Sequence, residues 1–347
     1  MKNRLIFGAL LLCAAVILVT VPALAQHQRI GASAAPELLI PVGGRDFALG
    51  GSSIATSKGI EAIYWNPAGL GRMTGSAEAM FSSMQWIADI DVVFGAVGAR
   101  FGAFGNIGFA VKSLGFGDIP LTTEDDPENY SQRFYSPTFF TISAAYSRAL
   151  TDAITVGVGI KLISEKIDRV SASGFAFDFG VQYEGLVGVK GMSLGVAVKN
   201  VGPQMRFDGP GLYRTAIAPG GSRPQQFYSL QAASFELPAV VEIGLAYDYK
   251  VADNLNFVVN GAFSNNNLYY DEYRGGLELT YAMEGVRLYG RGGYASVPQD
   301  TEHNLFGATF GAGISYTLGG IDVTVDYGYR QVDFFDANQV VSLKFAF

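Results

Sequence analysis

The closing stretches of the chain alternate so strictly that few folds remain open to it. From Ile321 to Arg330 the apolar positions are Ile321, Val323, Val325, Tyr327 and Tyr329, and between them stand Asp322, Thr324, Asp326, Gly328 and Arg330. Successive side chains of a strand point to opposite faces, so one face here is apolar and the other polar or small. Val341, Leu343, Phe345 and Phe347 repeat the pattern against Ser342, Lys344 and Ala346. Phe175, Phe177, Phe179, Val181 and Tyr183 do so against Ala176, Asp178, Gly180 and Gln182, and Ile154, Val156, Val158, Ile160 and Leu162 against Thr155, Gly157, Gly159 and Lys161. A soluble sandwich also alternates. Two details favour a membrane barrel instead. The non-apolar face is mostly Gly, Ser, Thr and Ala with isolated charges, as suits a crowded barrel interior. Tyrosines also gather near strand ends (Tyr183, Tyr247, Tyr249, Tyr281, Tyr327, Tyr329), where amphipathic rings meet lipid headgroups.

The start of the chain reads as an export signal. Lys2 and Arg4 precede an apolar run over residues 5–21, and Pro22-Ala23-Leu24-Ala25 supplies a small-x-small cleavage pattern. Residues 1–25 are therefore expected to be removed, leaving Gln26 first. A retained anchor fits less well, because the run is short for a span and carries its own cleavage site. Leu12 before Cys13 does not suit a lipoprotein signal, so Cys13 leaves with the leader. The mature chain then has no cysteine, which excludes a disulfide framework, a thiolate metal site and a cysteine nucleophile. Only 16% of residues are charged, yet no apolar run after the signal reaches the roughly 20 residues a helical span needs. The net charge of −7 argues against nucleic acid as a partner.

Connection lengths test the barrel independently. Reading strands from Ala77 onward predicts about fourteen, an even number as such barrels require. Short connections fall at residues 101–104, 150–153, 185–191, 251–254, 283–285 and 318–320. Long ones fall at 116–135, 165–173, 202–237, 265–273, 296–304 and 331–338, with only the first outer connection, 87–89, short. Short periplasmic turns opposite long extracellular loops are the asymmetry of an outer-membrane barrel. The fold class is thus all-β, a transmembrane antiparallel barrel over residues 76–347, in lipid and lipopolysaccharide.

Residues 26–75 differ in character. Asn66 is placed to cap a helical turn with Pro67 in its first position, where a missing N–H costs nothing. The segment is too short for a core of its own. Ile63, Tyr64, Trp65 and Leu70 nevertheless need burial, so it is expected inside the lumen as a plug or hatch.

In these same residues the chain resembles a known family. Residues 45–70, with Arg45 and Asp46, Ala48-Leu49-Gly50-Gly51 and Tyr64-Trp65-Asn66-Pro67-Ala68-Gly69-Leu70, resemble the N-terminal signature of the PorV/PorQ family, relatives of the FadL-type fourteen-stranded barrels. The likeness continues through residues 86–90, 170–178, 200–209, 236–238, 244–248 and 341–347, in the same order. It implies two roles. PorV-like members serve type IX secretion by receiving the C-terminal domains of secreted cargo; FadL-like relatives carry hydrophobic small molecules through a hatch-gated lumen.

A search for catalytic chemistry assigns no catalytic residue, cofactor or metal site. The two histidines are His27, beside the cleavage site, and His303, in a loop with Asp300 and Glu302, and no nucleophile elbow is present. The glycines of Gly311-Ala312-Gly313 read as thin spots in a strand rather than a nucleotide loop. The acidic run Glu124-Asp125-Asp126-Pro127-Glu128 lacks the spacing of a calcium loop and reads as a solvated outer loop. Lys161, Asp178, Lys199, Glu242, Asp248, Glu278, Arg287, Arg291, Asp322, Asp326 and Lys344 are expected to face the lumen and pair with each other and with Arg45 and Asp46. Arg206, Arg214, Arg223, Phe227 and Tyr228 give the longest outer loop an aromatic and basic mixture suited to a protein partner. Phe347 is the terminal aromatic expected to signal barrel assembly.

Overall fold

The computed structural model describes residues 31–216, 224–299 and 305–347. The expected signal 1–25, Gln26, His27, Arg223 and His303 lie outside the described residues. Fourteen antiparallel strands close into one barrel. In order they are β1 (Ala77–Gln85), β2 (Asp91–Arg100), β3 (Asn106–Gly115), β4 (Thr138–Ala149), β5 (Ile154–Ile167), β6 (Val170–Glu184) and β7 (Met192–Val201). There follow β8 (Val240–Ala252), β9 (Leu255–Asn266), β10 (Glu272–Met283), β11 (Val286–Ser296), β12 (Phe306–Leu318), β13 (Ile321–Val332) and β14 (Asn338–Ala346). Each strand pairs with its sequence neighbour, and β1 meets β14 in register from Glu78↔Ala346 to Gln85↔Gln339. The Phe347 backbone finishes the seam: its N–H donates to the Ala77 carbonyl at 2.9 Å, and its carbonyl accepts from the Ser76 N–H and hydroxyl.

The alternation sorts the faces as expected. Phe81, Phe177, Leu277, Ile314 and Val325 point outward and are exposed, while Gln182, Glu242, Asn260 and Asp326 point inward and are buried. One connection departs from expectation. The stretch 165–173 is not a long loop: β5 and β6 continue pairing to Ile167↔Val170, leaving only Asp168 and Arg169 at the turn. Ser, Glu and Lys positions there extend the ladder instead of ending it, and Asp168 takes a left-handed φ of 49°, which Asp tolerates better than most residues. The long outer connections carry small hairpins, Met205–Arg206 with Ser234–Phe235 and Tyr213–Ala216 with Gln226–Ser229.

Residues 33–73 fill the lumen as a chain of short helical turns, including Pro36–Leu39, Gly44–Ala48, Ala62–Trp65 and Pro67–Arg72. Asn66 caps the last of these, its side chain accepting from Ala68 N–H at 3.2 Å, with Pro67 next in line. Trp65 Nε1 donates to the Val42 carbonyl at 3.1 Å, and Phe47, Leu49, Ile54, Ile60 and Leu70 are fully buried. The barrel wall has room for this segment because of where its glycines stand. Gly157, Gly180, Gly195, Gly244, Gly276, Gly293, Gly311 and Gly328, on eight strands, each face the hatch, and a Cβ at any of them would run into it. At Gly244 the added carbon would lie 2.9 Å from Ile54 Cβ, at Gly328 2.8 Å from the Phe47 ring, and at Gly195 2.6 Å from Ala55 Cα. On the lipid face, Gly275 and Gly290 would meet nothing within 4 Å.

A methyl group added to this belt overpacks a backbone contact that cannot yield. Gly195→Ala is expected to destabilise the folded barrel by about 1–3 kcal/mol, read as a lower urea midpoint in detergent, whereas Gly290→Ala should leave the midpoint unchanged. Equal midpoints for the two variants would contradict a fitted hatch.

Candidate functional site

Between the upper surface of the hatch and the outer connections lies a cavity of about 510 Å³. One wall is a strap, residues 33–41. Its position follows from its bonds: Ala34 N–H donates to the Glu236 carbonyl at 2.8 Å, Tyr64 Oη donates to the Leu38 carbonyl at 3.2 Å, and Lys112 Nζ donates to the carbonyls of Glu37 and Ile40. Much of the remaining wall is aromatic: Phe47, Tyr64 and Trp65 from the hatch, Trp86 after β1, Phe139 from β4 and Phe306 from β12. Tyr64 and Trp65 meet edge to face with centroids 5.0 Å apart.

Cations line these rings without disturbing them. The Arg330 guanidinium stands 3.8 Å from the Phe306 centroid, 4.7 Å from Trp86 and 5.0 Å from Phe47, and it donates to Asn338 Oδ1 at 2.8 Å. Lys112 and Lys199 flank the Tyr64 ring at 4.9 and 5.3 Å. A cation over a ring face is attracted by the ring quadrupole, most strongly where water is excluded.

The floor of the chamber is an ion-pair network. Lys161 meets Asp178 at 2.7 Å and Lys199 meets Glu242 at 2.7 Å, while Arg274 joins Glu242 to Glu272. Deeper, Arg45 of the hatch contacts Glu278 at 3.0 Å and Asp46 at 2.8 Å, and Arg291 links Glu278 to Asp326. Lys344 reaches Glu61 at 3.0 Å. Burial pushes the Asp46 carboxyl up to about 6 despite Arg45 beside it, and the Ser57 hydroxyl donates to it at 2.6 Å. The lumen charges read from the sequence thus occur largely as hatch-to-wall and wall-to-wall pairs. Arg287 and Asp322 pair at 2.7 Å near the rim, and Asp248 is exposed. These pairs leave the chamber with aromatic residues in its walls and a charge-balanced floor.

The other expected residues fall elsewhere. Trp65 lines the cavity, but Asn66, Pro67, Ala68 and Gly69 sit lower, where Pro67 and Asn66 press on β5 and β6. Arg206, Arg214, Phe227 and Tyr228 are exposed on the long outer connection and do not line the cavity. Asp126 accepts from the backbone N–H groups of Tyr130 and Ser131 at 2.7 and 3.0 Å, which makes the acidic run a structured turn. Among the described residues no group of three or more His, Cys, Asp and Glu is placed to hold a metal. Sequence reasoning did not single out Arg330, Lys112 or Glu37 for the cavity. Each stands at an ordinary strand or turn position, and only the closure of the barrel brings them together.

No protein-family model matches the chain, and no curated protein does. Among solved structures it is similar to the CymD monoaromatic hydrocarbon channel, with a TM-score of 0.56 and 13% identity over 88% of this chain and 97% of that one. It is also similar to the toluene transporter TodX of P. putida, with a TM-score of 0.54 and 14% identity over 88% of this chain and 99% of that one. At such identity the likeness is one of fold: this chain has the barrel architecture of outer-membrane hydrocarbon channels.

Glu278 is the point where hatch and wall share a charge. Glu278→Ala leaves Arg45 and Arg291 buried with one counter-ion fewer, so a loss of about 3–5 kcal/mol is expected in chemical unfolding. A loss no greater than that of an exposed pair such as Lys250–Asp253 would show that the hatch does not depend on it.

Proposed function

We propose that this protein is a non-enzymatic outer-membrane barrel that admits hydrophobic small molecules into the aromatic cavity above its hatch. The cavity itself carries the reading. Its volume of about 510 Å³ falls in the range of roughly 300–1,000 Å³ typical of small-ligand sites, and its polar groups are mostly engaged with one another. The likeness to channels described as carrying monoaromatic hydrocarbons and toluene supports it, as do the lipid-facing apolar rows and the expected export signal.

A second reading keeps the PorV/PorQ resemblance at face value. In it, the exposed outer hairpin with Arg214, Phe227 and Tyr228 engages type IX secretion components or cargo C-terminal domains. Phe227 is 78% exposed, which favours a contact surface there. Recovery of such a protein with the solubilised barrel, lost in an Arg214→Glu, Phe227→Ser variant, is its expected signature.

The two tryptophans of the chain, Trp65 and Trp86, both line the cavity, so the channel reading has a built-in reporter. A brominated alkane or brominated benzene added to the purified barrel is expected to quench tryptophan fluorescence saturably. Trp86→Phe should lower the amplitude, since one of the two reporters, the less buried one, is gone. Quenching that grows linearly, matching that of free tryptophan in the same micelles, would refute occupancy of the cavity.

A further inference from the structure

The ion pairs of the lumen leave one carboxyl apart. Glu37 projects from the strap into the wall, 1% exposed, and neither of its side-chain oxygens has a hydrogen-bond donor. Among the described residues no cation stands within ion-pairing distance of it. The charged groups around it are Glu165 and Lys161 on β5, Lys112 on β3 and Lys199 on β7. Lys161 and Lys199 are committed to Asp178 and Glu242, and Lys112 spends its hydrogen bonds on backbone carbonyls of the strap. What Glu37 does meet is the charge of a second buried carboxyl, Glu165: Ala35 and Leu38, on either side of Glu37, pack on Ile163 and Ala172, and Glu165 stands two residues beyond Ile163 and opposite Ala172 in the ladder. Two carboxyl groups can hydrogen-bond only when one of them keeps its proton.

We propose that Glu37 and Glu165 share a single proton, and that this carboxyl pair latches residues 33–41 over the cavity, releasing them as the medium turns alkaline. Loss of the proton leaves two adjacent carboxylates facing each other in a buried site. Their repulsion and the cost of burying both charges are relieved when the strap swings out and Glu37 is solvated.

The direction follows from linkage. Burial, with the charge of Glu165 adding to it, pushes the docked Glu37 carboxyl up from 4.5 to about 8. Below 4.5 the docked and free straps both carry the proton and the latch is at full strength. Between 4.5 and about 8 the free strap loses its proton while the docked one keeps it, so docking weakens steadily; beyond about 8 it has lost all the stability the proton supplied. The rest of the strap's attachment is a small apolar contact of Ala34, Ala35 and Leu38 with Ile163, Ala172 and Ala176, one bridge from Ser33 to Glu236, and the hydrogen bonds that Tyr64 and Lys112 donate to its carbonyls.

The inference rests on the proposed entry function only for its consequence, the exposure of the cavity; the movement of the strap is measured without any solute. Cys13 is the sole cysteine of the chain and lies in the expected signal, so Ala34→Cys supplies a unique thiol at a site that is 8% exposed. Its labelling by a bulky, impermeant maleimide is followed in the detergent-solubilised mature protein with native Glu37 and with Glu37→Gln. Gln keeps the hydrogen bond without the titration, and the ratio of the two rates at each pH cancels the chemistry of the thiol. Glu165→Gln is a second neutral latch should Glu37→Gln fold poorly. The ratio is expected to rise at least about tenfold between about pH 5.5 and pH 8.5. A ratio that stays level, or a thiol freely labelled in every variant at low pH, would overturn the latch. Failure of the fluorescence experiment together with a rising ratio would remove the hydrophobic ligand and leave the latch standing.

Discussion

Everything in this molecule follows from the closure of its sheet. In lipid no water is available to satisfy a free backbone edge, so a strand protein must pair its first strand with its last. Here β1 and β14 meet over eight residue pairs, and the backbone of Phe347 extends the seam to Ser76 and Ala77. Closure then assigns the two faces. Outward rows such as Val341, Leu343, Phe345 and Phe347 meet hydrocarbon, and inward rows must find partners in a space with limited water. The buried charges of the lumen are the result. Their pairing with Arg45 and Glu61 makes the hatch part of the wall's electrostatics as well as a filler of its volume.

The chamber above the hatch is defined by the same logic. Below it, turns capped by Asn66 and rows led by Ile60 and Leu70 pack against the wall with little space between. Above it, the short first outer connection brings Trp86, and the long one after β3 brings Phe116, over residues that the strands bring around the ring, among them Phe306 and Arg330. The strap closes the remaining side through a few hydrogen bonds, whereas the deeper hatch is held by bidentate and bridging ion pairs. The two parts of one N-terminal segment are therefore held with very different strength.

Much of the architecture is legible in the residues. Ile321 to Arg330 reads as a strand because a two-residue period has no other regular interpretation, and counting such segments reaches fourteen. The short turn at Asp168 and Arg169 is less legible, since Ser164, Lys166 and Ser171 look like loop residues until their partners across the ladder are known. The site is harder still. Arg330 lies 283 positions from Phe47 and 244 from Trp86, so nothing local announces that these rings and Phe306 will surround it. Glu37 is similarly silent. Its meaning comes from Glu165, and that juxtaposition exists only once β5 has taken its place in the ring.

The glycine belt has a consequence for how the ring finds its register. Alternation alone forbids a slip of one residue, because it would turn apolar side chains inward. It is blind to a slip of two, which keeps every face as it was. The hatch is not blind to it. Moving β6 by two residues would bring Asp178 or Gln182 to the position where Gly180 now meets Asn66 and Pro67, and on β13 Asp326 or Arg330 would replace Gly328 against Phe47. A hatch already in place thus acts as a gauge against which the strands are measured as they close, rejecting the errors that the membrane itself would accept.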